Sequence, residues 1–100
     1  MADKLSYRLV MTQICVFMGW IDQAGRGPEF HDERDMLVVR TVGDQGIVLQ
    51  TLNSDIHAAW DPMDGDKQLR ARDALLASLK QMRLPPRSLC QISPDMWASQ

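Results

Sequence analysis

Two short apolar runs, separated by four turn-forming residues, constrain the fold of this chain more than any other feature. Residues 36–42 (MLVVRTV) and 47–52 (IVLQTL) are rich in β-branched side chains, and residues 43–46 (GDQG) lie between them. Runs of this length and composition are typical of half-buried strands. Because glycine accepts positive φ without a clash, residues 43–46 can close an antiparallel β-hairpin. A lone hairpin is unstable in water, so flanking helices must cover one of its faces.

The N-terminal segment predicts a helix over residues 5–23, with Asp3 as its cap. Its apolar residues fall on two sides, the first formed by Leu5, Leu9, Val16 and Trp20, the second by Val10, Met11, Ile14, Phe17, Met18 and Ile21. A helix that is apolar on two sides is buried on two sides. We therefore expect one side to cover the hairpin and the other to contact a second copy of the chain. A strand over residues 10–17 is the competing interpretation.

The rest of the chain alternates between breaks and short elements. Residues 24–35 are read as a glycine-rich break and a charged loop, and residues 56–60 as a helical turn or a third strand. An amphipathic helix is predicted over residues 64–82, ended by Pro85-Pro86. Residues 88–92 read as an extended piece, followed by a last turn that docks by Trp97. The predicted fold is α+β, a single domain over residues 1–100 with an N-terminal helix, an antiparallel β-hairpin of two or three strands, an amphipathic C-terminal helix and a short docked tail.

Size and composition indicate a soluble globular protein. One hundred residues suffice for one modest core, and 45% hydrophobic with 24% charged residues is ordinary for such a domain. No run of eighteen apolar residues suggests a membrane span, and the early Asp3 does not fit a signal peptide. Cys15 and Cys90 are far apart in sequence, and we expect both to be reduced and buried. These features favour the cytoplasm, and we further expect a bacterial or phage origin.

Charge is distributed unevenly along the chain. The net charge is −2, but residues 22–66 hold ten acidic residues against three arginines, a balance of −7. Residues 67–100 hold six basic residues against two aspartates, a balance of +4. This asymmetry predicts an acidic and a basic face, unless the two parts simply complement each other within the fold.

Candidate catalytic and metal-ligating residues form no recognised motif. His31, Glu33 and His57 are the best metal candidates, with Asp61 or Asp64 in reserve, but their spacing matches no known ligand set. A cysteine nucleophile would need a base such as His57, and neither cysteine lies in a glycine-rich elbow. We therefore predict no metal, no cofactor and no enzymatic activity. A small enzyme or metal-binding protein around His31 and His57 remains an alternative.

The basic C-terminal part raises the possibility of nucleic-acid binding. The candidate contacts would be Arg70, Lys80, Arg83 and Arg87. Aromatic residues are not interleaved with them. The pI of 5.5 is acidic, whereas nucleic-acid-binding domains are usually basic. A small nucleic-acid-binding regulator is therefore the second hypothesis.

Protein binding is the function that the composition favours. Three tryptophans and seven methionines are many for this length, and both residue types are enriched in interface cores. We predict a non-enzymatic cytoplasmic interaction protein (a small regulator, adaptor or inhibitor) that binds a larger protein as a homodimer. The residues predicted for self-association are Phe17, Met18 and Trp20. The residues predicted for binding the partner are Glu29, Asp32, Glu33 and Asp35.

Overall fold

The computed structural model describes residues 1–98 and has the predicted α+β architecture. Its elements in chain order are helix α1 (Tyr7–Phe17), strands β1 (Glu29–Glu33), β2 (Met36–Arg40) and β3 (Val48–Leu52), helix α2 (Asn53–Asp55), a π-helical turn (Ile56–Trp60), helix α3 (Gly65–Met82), strand β4 (Leu89–Ile92) and helix α4 (Pro94–Trp97). The helix predicted over residues 64–82 is confirmed within one residue as α3, and the predicted C-terminal turn is present as α4, with Trp97 buried.

The strands form one mixed sheet in the order β1-β2-β3-β4. The predicted hairpin is confirmed as the antiparallel pair β2-β3, with Val39 opposite Leu49. Strand β4 runs parallel to β3, so that Cys90 lies beside Leu49, and the connection between them passes through α3. A parallel neighbour requires such a long crossover, which an α-helix commonly provides.

One prediction about the strands was wrong. Residues 29–33, predicted as part of a charged loop, form the edge strand β1, whereas residues 56–60 are helical, as the first of the two interpretations predicted. This strand contains a single apolar residue, Phe30, so its sequence lacks the alternation that normally reveals a strand. It pairs with β2 through a two-residue turn in which Arg34 adopts a φ of +53°.

Helix α1 ends six residues earlier than predicted because a Schellman motif closes it. Gly19 has a φ of +73°, and its N–H donates to the carbonyl of Val16. The N–H of Trp20 donates to the carbonyl of Cys15 at 2.9 Å. These two bonds define the motif, with glycine at the left-handed position. The chain then turns back on itself and carries the Trp20 side chain into the core.

A single hydrophobic core lies between the helices and the inner face of the sheet. At its centre, the rings of Tyr7, Trp60 and Trp97 pack edge to face, with centroids 5.4–6.4 Å apart. The Tyr7 hydroxyl shares a hydrogen bond of 3.1 Å with the buried Thr51 hydroxyl on β3. The core therefore joins α1, the sheet, the π-helical turn and the tail.

The N-terminal segment before α1 is hydrogen-bonded to the buried Gln68 side chain on α3. The Leu5 N–H donates to Gln68 Oε1 at 2.6 Å, and Gln68 Nε2 donates to the Trp60 carbonyl at 3.4 Å. The Trp60 indole N–H completes the set by donating to the Leu5 carbonyl at 3.0 Å. These three bonds satisfy polar groups that would otherwise be costly to bury.

Candidate interaction surface

The outward side of α1 carries three large apolar side chains. Leu9, Val16 and Phe17 are 46%, 49% and 52% exposed, and we refer to them as the α1 stripe. On the side of the same helix that faces the core, Val10, Met11 and Ile14 are completely buried. Within residues 1–98 the helix thus has one covered and one exposed apolar side, but the division differs from the predicted one, because Phe17, predicted on the side of Val10 and Ile14, is half exposed.

The three residues predicted for self-association occupy different environments. Phe17 belongs to the α1 stripe, whereas Met18 is partly buried against the core. Trp20 is only 6% exposed, because the Schellman turn directs it inward. Its side chain is therefore part of this chain's own core and is not available at the surface. Leu9 and Val16, seven residues apart, take its place on the outward face.

Polar side chains of α1 and α3 flank the α1 stripe. Arg72 on α3 donates from Nη1 to Gln13 Oε1 at 2.9 Å, and its guanidinium carbon lies 5.6 Å from the centre of the Phe17 ring. A guanidinium at this distance is attracted to the ring face. The Thr12 hydroxyl donates to the Arg8 carbonyl within the helix. Arg72 and Gln13 were not singled out from the sequence, since only the packing of α1 beside α3 brings them together.

The four acidic residues predicted for partner binding lie at one edge of the sheet. Glu29, Asp32 and Glu33 are on β1, and Asp35 is in the turn that follows. Three of these carboxylates lie near an arginine or histidine side chain. Asp32 is ion-paired with Arg8, Glu33 lies 3.8 Å from Arg40, and Glu29 lies 3.6 Å from His31. All of these groups are exposed, so each pair contributes little to stability. The two arginine pairs also weaken the negative field that the acidic count suggests.

The two histidines are on separate elements, His31 on β1 and His57 on the π-helical turn. His57 Nδ1 lies 2.6 Å from an Asp61 carboxylate oxygen, so Asp61 orients the imidazole ring. Both partners are exposed at the mouth of an open cleft of about 360 Å³. Across residues 1–98, no group of three or more histidine, cysteine, aspartate or glutamate side chains is arranged to hold a metal ion.

Both cysteines are buried and free. Burial raises the pKa of the Cys15 thiol to about 12, and it also raises the pKa of Cys90. The thiolate is the nucleophilic form of cysteine, so both side chains are inert at neutral pH. The thiols therefore contribute to packing rather than to a reactive site.

The basic residues proposed for nucleic acid are spread over the end of α3 and the following turn. Arg70 and Lys80 are exposed on α3, whereas Arg83 caps that helix and Arg87 lies in the turn before β4. Arg83 and Arg87 both have positive φ, near +49° and +64°. Their backbones thus form a turn, and the four side chains do not follow a single helix face.

Comparisons of the chain with models of protein families, with curated proteins and with solved structures give no match. Among the helices of residues 1–98, none has the length and apolar character needed to cross a membrane.

Proposed function

We propose that this protein is a small cytoplasmic interaction protein that self-associates through the α1 stripe and acts on a larger protein as a regulator, adaptor or inhibitor. The observation that carries the proposal is the half-exposed set of Leu9, Val16 and Phe17 on a helix whose other side is fully buried. Contiguous exposed apolar side chains on a small protein are characteristic of interaction sites.

The α1 stripe is self-complementary under two-fold symmetry. Leu9 and Val16 are separated by about 10 Å along the helix axis. When two copies of α1 cross in antiparallel orientation, Leu9 of one copy meets Val16 and Phe17 of the other. Gln13 then lies at the symmetry axis, where its amide N–H groups face the second copy while its oxygen accepts from Arg72. Two-fold contacts of this kind are the commonest in homo-oligomers.

The size of the stripe sets the expected strength of the dimer. Stable interfaces bury roughly 800 Å² on each partner, which is more than three side chains supply. We therefore expect a weak dimer, with a dissociation constant on the order of micromolar. A weak dimer suits a regulator that exchanges its own second copy for a partner.

The acidic edge of β1 is the second surface in the proposal. Glu29 and Glu33 are exposed and only loosely paired, and we propose that they contact a basic region of the larger protein. Contacts between exposed charges are screened by salt. Partner binding that is unchanged between low and high salt would contradict this part of the proposal.

The proposal predicts that a charge placed in the α1 stripe abolishes dimer formation. In Phe17→Glu, the new carboxylate would be desolvated in the dimer, whereas in the monomer it would lie beside Arg72 and remain solvated. Light scattering over a range of concentrations should show a mass that rises towards the dimer for the wild type and stays at the monomer for Phe17→Glu.

Met82→Glu is the matched control, since Met82 is 48% exposed but lies at the end of α3. This variant should associate as the wild type does. A wild type that remains monomeric at all concentrations, or equal loss of association in both variants, would contradict the proposal.

A further inference from the structure

A second apolar surface lies between the π-helical turn, α3 and the C-terminal tail. It is a cleft of about 390 Å³, with walls that include Ala59, Met63, Ala71 and Trp97. Sites for small molecules typically measure about 300–1,000 Å³ and are mostly apolar with a few polar groups. The cleft is therefore large enough for a small ligand and has the expected chemistry.

Among residues 1–98, Lys67 is the only charged residue that lines this cleft. Its backbone N–H is used by the Asp64 cap of α3, but no salt bridge within residues 1–98 involves its ammonium group. A lysine ammonium is a strong donor to anionic oxygens. The charge of the cleft thus favours a ligand with a negative group.

Trp97 supplies a second polar group without a partner. The side chain is 1% exposed and lines the cleft, and its indole Nε1 is buried without an acceptor among residues 1–98. By contrast, the indole N–H of Trp60 donates to a backbone carbonyl. Unpaired buried donors are rare in native proteins, and a ligand oxygen is one way to satisfy them.

From these observations we propose that the cleft binds a small apolar carboxylate, such as a medium-chain fatty acid. The hydrocarbon chain lies along Ala59, Met63 and Ala71, and the carboxylate accepts a hydrogen bond from Lys67 Nζ. Because Trp97 Nε1 is buried in the unliganded protein, a small rotation of the ring on binding brings the indole N–H to the same carboxylate. The cleft and the α1 stripe lie on different elements, so this proposal is independent of self-association.

The probe is octanoate, with octanol as a ligand of nearly the same shape that lacks the charge. Titration followed by ¹⁵N–¹H NMR should show saturable binding of octanoate with a dissociation constant on the order of millimolar or tighter. The Trp97 indole N–H signal should move downfield with octanoate. Octanol should bind about tenfold more weakly and move this signal less, because charge-assisted bonds are the stronger kind.

Two variants test the site. Lys67→Gln should reduce octanoate affinity to the level of octanol, and Ala59→Leu should weaken both ligands by filling the cleft. Lys80→Gln removes an exposed lysine of the same helix and should leave binding unchanged. The dispersion of the indole signals reports whether each variant is folded.

Three outcomes would overturn the proposal. The first is the absence of saturable octanoate binding to the wild type. The second is equal affinity for octanoate and octanol, and the third is unchanged octanoate affinity in a folded Lys67→Gln variant.

Discussion

Gly65 is important because the N-terminal segment packs directly against its backbone. It begins α3, and the N-terminal segment crosses so closely that a Cβ atom at this position would overlap the Ala2 carbonyl and lie 2.5 Å from the Asp3 oxygen. The neighbouring Asp66 carboxylate accepts the Ala2 N–H at 3.0 Å. The sequence alone presents Gly65 as an ordinary turn residue before a helix, because nothing local indicates this long-range contact.

We predict that Gly65→Ala destabilises the protein although alanine is the better helix former. The overlap is with backbone atoms, so the N-terminal segment must move, at a cost of about 1–3 kcal/mol. Helix propensity returns at most about 1 kcal/mol. Urea unfolding should show a net loss of stability.

Gly27→Ala is the control, because a Cβ there would meet no atom within 4 Å. Its unfolding free energy should change by about 0.5 kcal/mol or less. Equal stability of Gly65→Ala and Gly27→Ala would show that the N-terminal segment does not pack as described.

The buried Cys15 thiol predicts a loss of stability at alkaline pH. Its pKa is raised to about 12 by burial, from an ordinary value near 9. Above pH 9 the unfolded chain loses this proton while the folded state keeps it, so the folded state becomes less favoured. The free energy of unfolding should fall by up to about 1.4 kcal/mol per pH unit between pH 9 and 12.

Urea unfolding at pH 7, 9, 10 and 11 measures this dependence. Burial also raises the pKa of Tyr7 and of Cys90, so part of the slope should persist in Cys15→Ala, while the share due to Cys15 disappears. An identical slope in the wild type and in Cys15→Ala would contradict the assignment to Cys15.

At the scale of single elements, the amino-acid sequence predicted those with a clear local pattern and missed the edge strand β1. The apolar stripe of α3 and the β-branched runs of β2 and β3 are strong local signals, and all three elements are present. Residues 88–92 were predicted as an extended piece, but the parallel pairing of β4 with β3 could not be predicted, and β1 becomes a strand only by hydrogen-bonding to β2. The end of α1 does have a local signal in the sequence, because a glycine such as Gly19 is typical of a left-handed helix cap.

Two serines that precede helices should differ in their effect on stability. The Ser6 hydroxyl caps α1 by accepting the Leu9 N–H at 3.1 Å, whereas Ser93, in the same position before α4, makes no cap hydrogen bond. Ser6→Ala should cost about 1 kcal/mol and Ser93→Ala much less. Thermal or urea unfolding of both variants measures the difference, and equal losses would contradict it.

At the scale of the whole molecule, the position of α1 determines the proposed function. The sequence predicted that α1 has two apolar sides, and this could be read from the residue spacing alone. It could not predict which residues remain outside, since that depends on how α1 packs between the sheet and α3. For this reason Trp20, the most attractive interface residue in the sequence, lies in the core, while Leu9 and Val16 lie outside.

The most direct test of self-association through α1 is disulfide cross-linking of Gln13→Cys. The antiparallel two-fold contact places position 13 of both copies at the axis, while the native Cys15 and Cys90 are buried. Under mild oxidation, non-reducing electrophoresis should show rapid formation of a covalent dimer, which Phe17→Glu in the same chain prevents. Gln81→Cys, exposed near the end of α3, should cross-link slowly. Equal rates for the two cysteine variants, or rapid cross-linking that persists with Phe17→Glu, would contradict the α1 dimer.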